Sequence, residues 1–329
     1  MEHRTAAVLL LSVAFLSGLA WTGESCAQAK IARVGILSFF GGTDAELREW
    51  MKPFTRTLTD QGWTEGKNVS FEYRNVQSGP SQLAETANEL VRLKVDVIFA
   101  DSAPSVRAAR AATRNIPIVA IDFTTDPVAE GYVESYGRPG GNVTGVFLDA
   151  PEFAGKWFQL LKAMIPRLSR VLVLWDPSPG TAHLHAVQKF AKSLRIQLQV
   201  IEVRNPDDID KAFSALRGHP QAVIILPSPL MYLQNEQLAT LAMKRRLPGT
   251  SMAHAFAEAG GTIAYGPERI AVYERCAGLA AKILGGAKPG DLPVERPTKV
   301  QLIVNLKSAK ALGLTVPESV LYRADEVIQ

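Results

Sequence analysis

Short apolar runs rich in β-branched residues alternate along this chain with amphipathic stretches of roughly 10 to 18 residues, and that alternation narrows the possible folds more than any other feature. The runs are "IARVGIL" (31–37), "VSFEYR" (69–74), "VDVIFA" (95–100), "IPIVAI" (116–121), "RVLVLW" (170–175), "LQVIEV" (198–203) and "AVIIL" (222–226). Between them, Leu83, Ala87, Leu90 and Val91 share one helical face, as do Ile209, Phe213 and Leu216. Strand, helix, strand repeated in this way predicts an α/β fold: parallel sheets flanked by helices on both faces.

The chain also echoes itself. "FEYRN" (71–75), a helix and "VDVIFA" return as "IEVRN" (201–205), a helix and "AVIIL", with "NIPIVA" at 115 matched by "RLPGTS" at 246, always about 130 residues on. The kept order favours two related lobes in tandem; chance recurrence of common strand vocabulary is the competing reading. "RPGGNVTGV" (138–146) falls where the first lobe should end. It is expected to be an inter-lobe crossover, with Gly140, Gly141, Asn142 and Thr144 as a hinge.

Residues 1–29 differ from the rest: Arg4 precedes the apolar run Ala6 to Trp21, and "AQA" (27–29) offers small residues for cleavage. This predicts a cleaved secretory signal peptide, since a membrane span needs about 20 apolar residues. The residues before Cys26 (Gly23, Glu24, Ser25) do not suit lipidation, so a periplasmic protein without a lipid anchor is expected. The formal net charge of +4 is mild and dispersed, with no basic footprint for nucleic acid. Cleavage leaves Cys276 as the sole thiol, so no internal disulfide can form.

Several chemistries are missing. No G-x-G-x-x-G follows the first strand, and "GWTEGKN" (62–68) is one residue short of a phosphate loop and ends in Asn68. G-x-S-x-G, H-E-x-x-H and C-x-x-C are absent. His183 and His185, two apart, would point to different faces of a solvated helix. Neither cofactor nor metal is expected.

Ligands of parallel α/β sheets gather at the carboxyl ends of strands, where loops enter helices. Those ends supply Ser38, Phe39 and Phe40; Asp101, Ser102 and Ser105; Asp122, Phe123, Thr124 and Thr125; Asp176, Ser178 and Thr181; and Ser228. Each polar residue has an alternative reading as a helix cap. Facing one cleft, they predict a hydrogen-bonding pocket beside helix N-termini, with Phe39, Phe40 and Phe123 for an apolar part and Asp101 or Asp176 for an amine.

"GWTEGKNVSFEYR", "LVRLKVDVIFA", "IPIVAIDFTTDPVAEGYVESYGRPGGNVTGV", "RVLVLWDP", "AEAGGTIAYG" and "AAKILGGAKPGDLPVERPTKVQLIVNLKSAKALGLTVP" together resemble ABC-transporter substrate-binding proteins of the type that includes tryptophan- and aromatic-amino-acid-binding members. The resemblance implies two Rossmann-like lobes joined by a three-crossover hinge, as in type I periplasmic binding proteins. It also implies closure on a small-molecule solute and delivery to an inner-membrane ABC permease with its ATPase. By it, "SAPSV" and "DFTTDP" are binding loops of the first lobe and "DPSPGT" of the second. Asp101 stands where many members have a small residue and Asp176 where asparagine is frequent, which leaves room for an amine or a zwitterion. Crossings are expected near 145–150, 262–267 and 294–299, giving lobe one as 30–147 plus 266–295 and lobe two as 148–265 plus 296–329. The expected molecule is a monomer without catalysis of its own. Two other readings are a solute sensor for a membrane receptor, and an exported enzyme using Asp101, Asp122 or Asp176 as acid or base.

Overall fold

The computed structural model describes residues 31–39, 43–76, 80–148 and 150–329; the expected signal peptide and Phe40 lie outside them. The chain opens with β1 (Ala32–Ser38), α1 (Asp44–Asp60), β2 (Val69–Asn75), α2 (Pro80–Arg92), β3 (Val97–Ala100), α3 (Ala103–Ala112), β4 (Ile118–Asp122) and β5 (Val143–Phe147). These strands form one sheet in the order β2-β1-β3-β4-β5, with every pair parallel. The chain continues through α4 (Ala150–Met164), β6 (Arg170–Trp175), α5 (Ala182–Ser193), β7 (Gln197–Glu202), α6 (Pro206–Ser214) and β8 (Ala222–Ile225). Then come α7 (Pro229–Leu233), α8 (Asn235–Lys244), β9 (Gly249–Ser251), α9 (His254–Glu258), β10 (Ile263–Pro267) and α10 (Arg269–Leu284). It closes with β11 (Val300–Asn305), α11 (Leu306–Ala311), α12 (Glu318–Leu321) and β12 (Glu326–Ile328).

The second sheet runs β7-β6-β8-β9-β10-β11-β12. Its first five strands repeat the order of the first sheet, so β6 matches β1 and β10 matches β5. The echo between "FEYRN" and "IEVRN" therefore marks equivalent edge strands, β2 and β7. Beyond the repeat, β10 and β11 pair antiparallel, with Pro267 opposite Val300. The reason is connectivity: the chain leaves the second sheet at the end of β10 and re-enters beside that point, so β11 must run back the other way.

Helical periodicity places the cores. Leu47, Met51, Phe54 and Leu58 on α1 are buried and join Val272, Tyr273, Cys276 and Ala277 of α10 over one face of the first sheet. Phe54 and Phe99 stack with centroids 4.5 Å apart. Leu83, Ala87 and Leu90 of α2 cover the opposite face. In the second lobe Trp157 of α4 is fully buried and satisfies its indole N–H on the Tyr265 carbonyl at 3.1 Å.

The hinge expected at Gly140–Thr144 is corrected by this topology. Gly140 and Gly141 form the turn into the amino end of β5, and Asn142 is tied into the first lobe by side-chain bonds to the Ile116 and Thr113 carbonyls (2.8 and 3.3 Å). Thr144 bonds the Leu292 carbonyl at 2.9 Å. A strand of five residues, about 17 Å long, separates this turn from the true crossing after Phe147. The glycines serve backbone geometry: Gly140 has φ +73°, while Gly145, at φ +146°, lies so close to β4 that a Cβ would come within 2.1 Å of the Ala120 carbonyl oxygen. Ile263–Pro267, expected as a crossing, is instead a full strand, and the chain crosses at Glu268, whose N–H bonds the Lys299 carbonyl at 3.0 Å. The third crossing follows Glu295, which is bonded to both Phe147 and Gly145 at 2.9 Å.

Gly145→Ala is expected to lower the unfolding free energy by about 2 to 4 kcal/mol in urea titrations, from strain and overlap together. Gly141→Ala, whose Cβ would meet nothing nearer than the Tyr132 carbonyl at 3.7 Å, should change it by less than about 0.5 kcal/mol. Equal losses at both positions would contradict the close-approach reading of Gly145.

Candidate functional site

Because the strands of the first sheet are parallel, their carboxyl ends open on one edge, and the equivalent edge of the second sheet faces it across a cavity of about 570 Å³. From the first lobe the wall is made by Trp50, Asp101–Ala103, Ile121, Phe123 and Thr124. From the second come Pro227–Pro229, Tyr232, Asn235, Met252–Ala255 and Glu258, with Glu268, Arg269 and Tyr273 at the crossing.

Asp101 is delivered by β3, one residue before Ser102, whose hydroxyl caps α3 by accepting from the Ser105 N–H at 3.4 Å. Asp101 as a whole is only 4 % exposed. Ser38 Oγ donates to Oδ2 at 2.6 Å, while Oδ1 has no hydrogen-bond partner. Burial pushes this carboxyl up to about 7, against the pull of the Ser38 hydroxyl. Next to it stands an aromatic and cationic stack. Trp50 Nε1 donates to the Tyr273 hydroxyl at 2.8 Å, the Arg269 guanidinium lies 4.0 Å over the Trp50 ring, and Arg269 Nη1 donates to the Trp50 carbonyl at 3.1 Å.

The facing wall has its own buried polar atoms without partners. Asn235 is 7 % exposed, donates through Nδ2 to the Tyr232 carbonyl, and leaves Oδ1 without a partner. His254 Nε2 is likewise buried and without a partner. Ser228 accepts from the Met231 N–H at 3.1 Å and so fixes the turn into α7.

The lobes also touch directly. Arg107 on α3 donates to the carbonyls of Ser178 (3.4 Å) and Pro179 (3.2 Å) across the cleft. His183 on α5 reaches the Phe123 carbonyl, which requires its Nε2 to carry the proton. Burial pushes this ring down to about 4, so it is neutral at pH 7. The expectation of a solvated helix at His183 is corrected here: α5 turns that residue inward against Trp157, 5.8 Å away, while His185 is not part of this contact. No group of three His, Cys, Asp or Glu residues able to hold a metal occurs among the described residues.

The family profile described as "ABC transporter substrate binding protein" matches residues 34–328. The chain belongs to that family. A tyrosine-binding protein of Clostridioides difficile is 26 % identical over 267 residues, covering 80 % of this chain and 76 % of its own length. A conserved domain protein from Vibrio cholerae superposes with a TM-score of 0.82 at 26 % identity, over 91 % of this chain and all of that one. The ABC domain of Streptococcus pneumonia in complex with L-Trp superposes with a TM-score of 0.81 at 22 % identity, over 90 % of this chain and 99 % of that one.

In this substrate-binding protein, the sequence-predicted residues divide by position. Asp101, Ser102, Phe123, Thr124 and Ser228 line the cavity. Ser38 stands behind Asp101, and Ser105 bonds Ser102 at 2.9 Å. Asp122 is buried and accepts from the N–H and hydroxyl groups of Thr124 and Thr125, so it holds a turn below the wall. Asp176 does the same for its own loop, accepting from Ser178 N–H at 2.8 Å and Ser178 Oγ at 2.9 Å, and neither residue lines the cavity. Thr181 precedes α5 without a side-chain cap bond, and Phe39 packs into the first-lobe core. Trp50, Tyr232, Asn235, His254, Arg269 and Tyr273 were not foreseen. The strand-end rule, extended to "TSMAHA" after β9 and "GPERI" after β10, would have found His254 and Arg269; Trp50 and Tyr273 carry no such signal.

Because Asp101 has a folded-state pKa above its unfolded value, it favours the protonated form. Its contribution is full below about pH 4 and is lost as pH rises through about 7, with a slope of up to roughly 1.4 kcal/mol per pH unit. Buried His183, held near 4, contributes with the opposite sign below about pH 6.5, so the Asp101 contribution is read as the difference between the parent and Asp101→Asn in denaturant melts of the solute-free protein from pH 5 to 8. Relative to the variant, the parent should lose stability as pH rises through about 7. An unchanged slope in the variant would place the titration elsewhere.

Proposed function

We propose that this member is the solute-binding component of an ABC importer, closing on a small organic solute and presenting it to a membrane permease. The observation that carries the reading is the set of buried polar atoms without partners, Asp101 Oδ1 on one wall and Asn235 Oδ1 and His254 Nε2 on the other. A buried polar atom left unpaired is costly, by about 1–3 kcal/mol, so such atoms converging on one cavity from two lobes suit a ligand that bridges them. Trp50, Phe123, Tyr232 and Tyr273 give the same cavity an aromatic lining, which suits an amino acid or another compound with an aromatic body. A Clostridioides difficile relative named for tyrosine binding and a fold neighbour holding L-Trp agree with that class.

Closure follows from the hinge and the latch. Three hydrogen-bonded crossings allow the lobes to rotate, and Arg107 and His183 bond across the gap only when it is shut. A solute touching both walls would add differential affinity for the shut form. Asp122 and Asp176 are committed to turns, which favours a binding role over acid–base chemistry.

Export is part of the same proposal: the mature chain should begin between Gln28 and Lys30 with no lipid on Cys26. Intact mass of the exported protein checks this, and a diacylated N-terminal cysteine would contradict it. A thermal-shift panel of amino acids, aromatic acids and amines should yield solutes that raise the melting temperature. With such a solute at saturation, small-angle scattering should show a smaller radius of gyration. Superimposable curves with and without solute would contradict closure. Arg107→Ala should weaken solute affinity about tenfold, the equivalent of roughly 1.5 kcal/mol withdrawn from the shut form.

A further inference from the structure

The cavity wall carries more carboxylates than cations. Among the described residues Asp101, Glu258, Glu268 and Glu326 line it, against the guanidinium of Arg269. Lys299 Nζ lies 3.6 Å from Glu268, and Arg107 bonds the carbonyl of Pro179 on the wall, so the cations on or near it number three against four acids. Arg269 is built into the wall: its guanidinium sits between the Trp50 ring at 4.0 Å and the Tyr273 ring at 5.6 Å, with Nη1 bonded to the Trp50 carbonyl.

The place where the first lobe could receive an anion is also taken. The amino end of α3 offers few free N–H groups, since Ser105 N–H is bonded to Ser102 and position 104 is proline. Asp101 itself stands just before that end, so an incoming carboxylate would meet a carboxylate. What Asp101 offers is an acceptor. Ser38 fixes Oδ2, and Oδ1, in a residue only 4 % exposed, is within hydrogen-bond geometry of no protein donor, the Phe39 and Asp101 N–H groups acting on the carboxyl only from longer range. Arg269 already lies over the Trp50 and Tyr273 rings, but the rings of Phe123 and Tyr232 also line the wall, and ring faces attract organic cations.

We propose that the solute is an organic ammonium ion with an aromatic or apolar body, whose N–H donates to Asp101 Oδ1, and that no carboxylate on the solute is needed. This rests on the reading of the cleft as the solute site. The field of the wall then ranks ligands that share a ring by charge, cation above zwitterion above anion.

Calorimetric titration of the exported chain with two series sharing a ring and differing in charged groups tests it: tyramine, L-tyrosine and 3-(4-hydroxyphenyl)propionate, then tryptamine, L-tryptophan and indole-3-propionate. The amine of at least one series should bind tenfold or more tighter than its amino acid, and the propionates should not bind. Asp101→Asn, checked for folding by circular dichroism, should weaken the amine about 30-fold or more, as expected when a buried charge-assisted contact is lost. An amino acid or propionate binding as tightly as the amine would overturn the ammonium assignment while leaving the cleft as a solute site. Unchanged amine binding in Asp101→Asn would also overturn it. No binding by any of the six would remove the aromatic-solute reading of the cleft, and the ammonium assignment with it.

Discussion

Strand direction governs this molecule. In a sheet whose strands all run the same way, every loop that follows a strand leaves by one edge, so the residues that start the next helices collect there. The first sheet obeys this throughout, and the second repeats its order of strands over β6–β10. Two such edges facing each other make a cleft without any dedicated binding domain. The antiparallel β11 is the consequence of threading: a chain that leaves the second lobe at the cleft to build α10 on the first must return at the same edge.

What distinguishes this cleft is the carboxyl placed at the amino end of α3. Desolvation raises the energy of its charged form, and the Ser38 hydroxyl, with backbone N–H groups of Phe39 and Asp101 behind it, offsets part of that rise. A cation brought to Oδ1 would supply the missing compensation, so the same burial that disfavours the empty ionised site would favour the occupied one. The stack of Arg269 on Trp50 and the bond from Trp50 to Tyr273 stiffen the wall beside it, because α1 and α10 are held to one another by those contacts and by the core beneath them. The bonds between the lobes draw on separate side chains: Arg107 and His183 bond backbone carbonyls on the opposite lobe, two of them, Pro179 and Phe123, at the edge of the cavity wall.

The sheets were legible because their central strands are buried on both faces and read as continuous apolar runs, and because α2 and α6 carry clear helical stripes. The tandem repeat was legible in three short segments that occupy equivalent strands of the two sheets. Part of the wall was legible too, since Asp101, Ser102, Phe123, Thr124 and Ser228 follow strands directly. Asp176 misled for a physical reason: a short acidic side chain before Ser can either face a ligand or cap its own turn, and only the backbone path decides which. The paired glycines at 140 and 141 misled likewise, as a turn into a strand and a hinge require the same conformational freedom. Trp50 and Tyr273 were hidden because they meet 223 residues apart in sequence, through a helix pair that local patterning does not reveal.

The most direct measurement is a crystal structure of the mature chain with a tightly bound solute. The account predicts one solute in the cleft, with a nitrogen about 3 Å from Asp101 Oδ1 on one lobe and contact to Asn235 or His254 on the other. A solute seated outside the cavity, or touching one lobe alone, would contradict it.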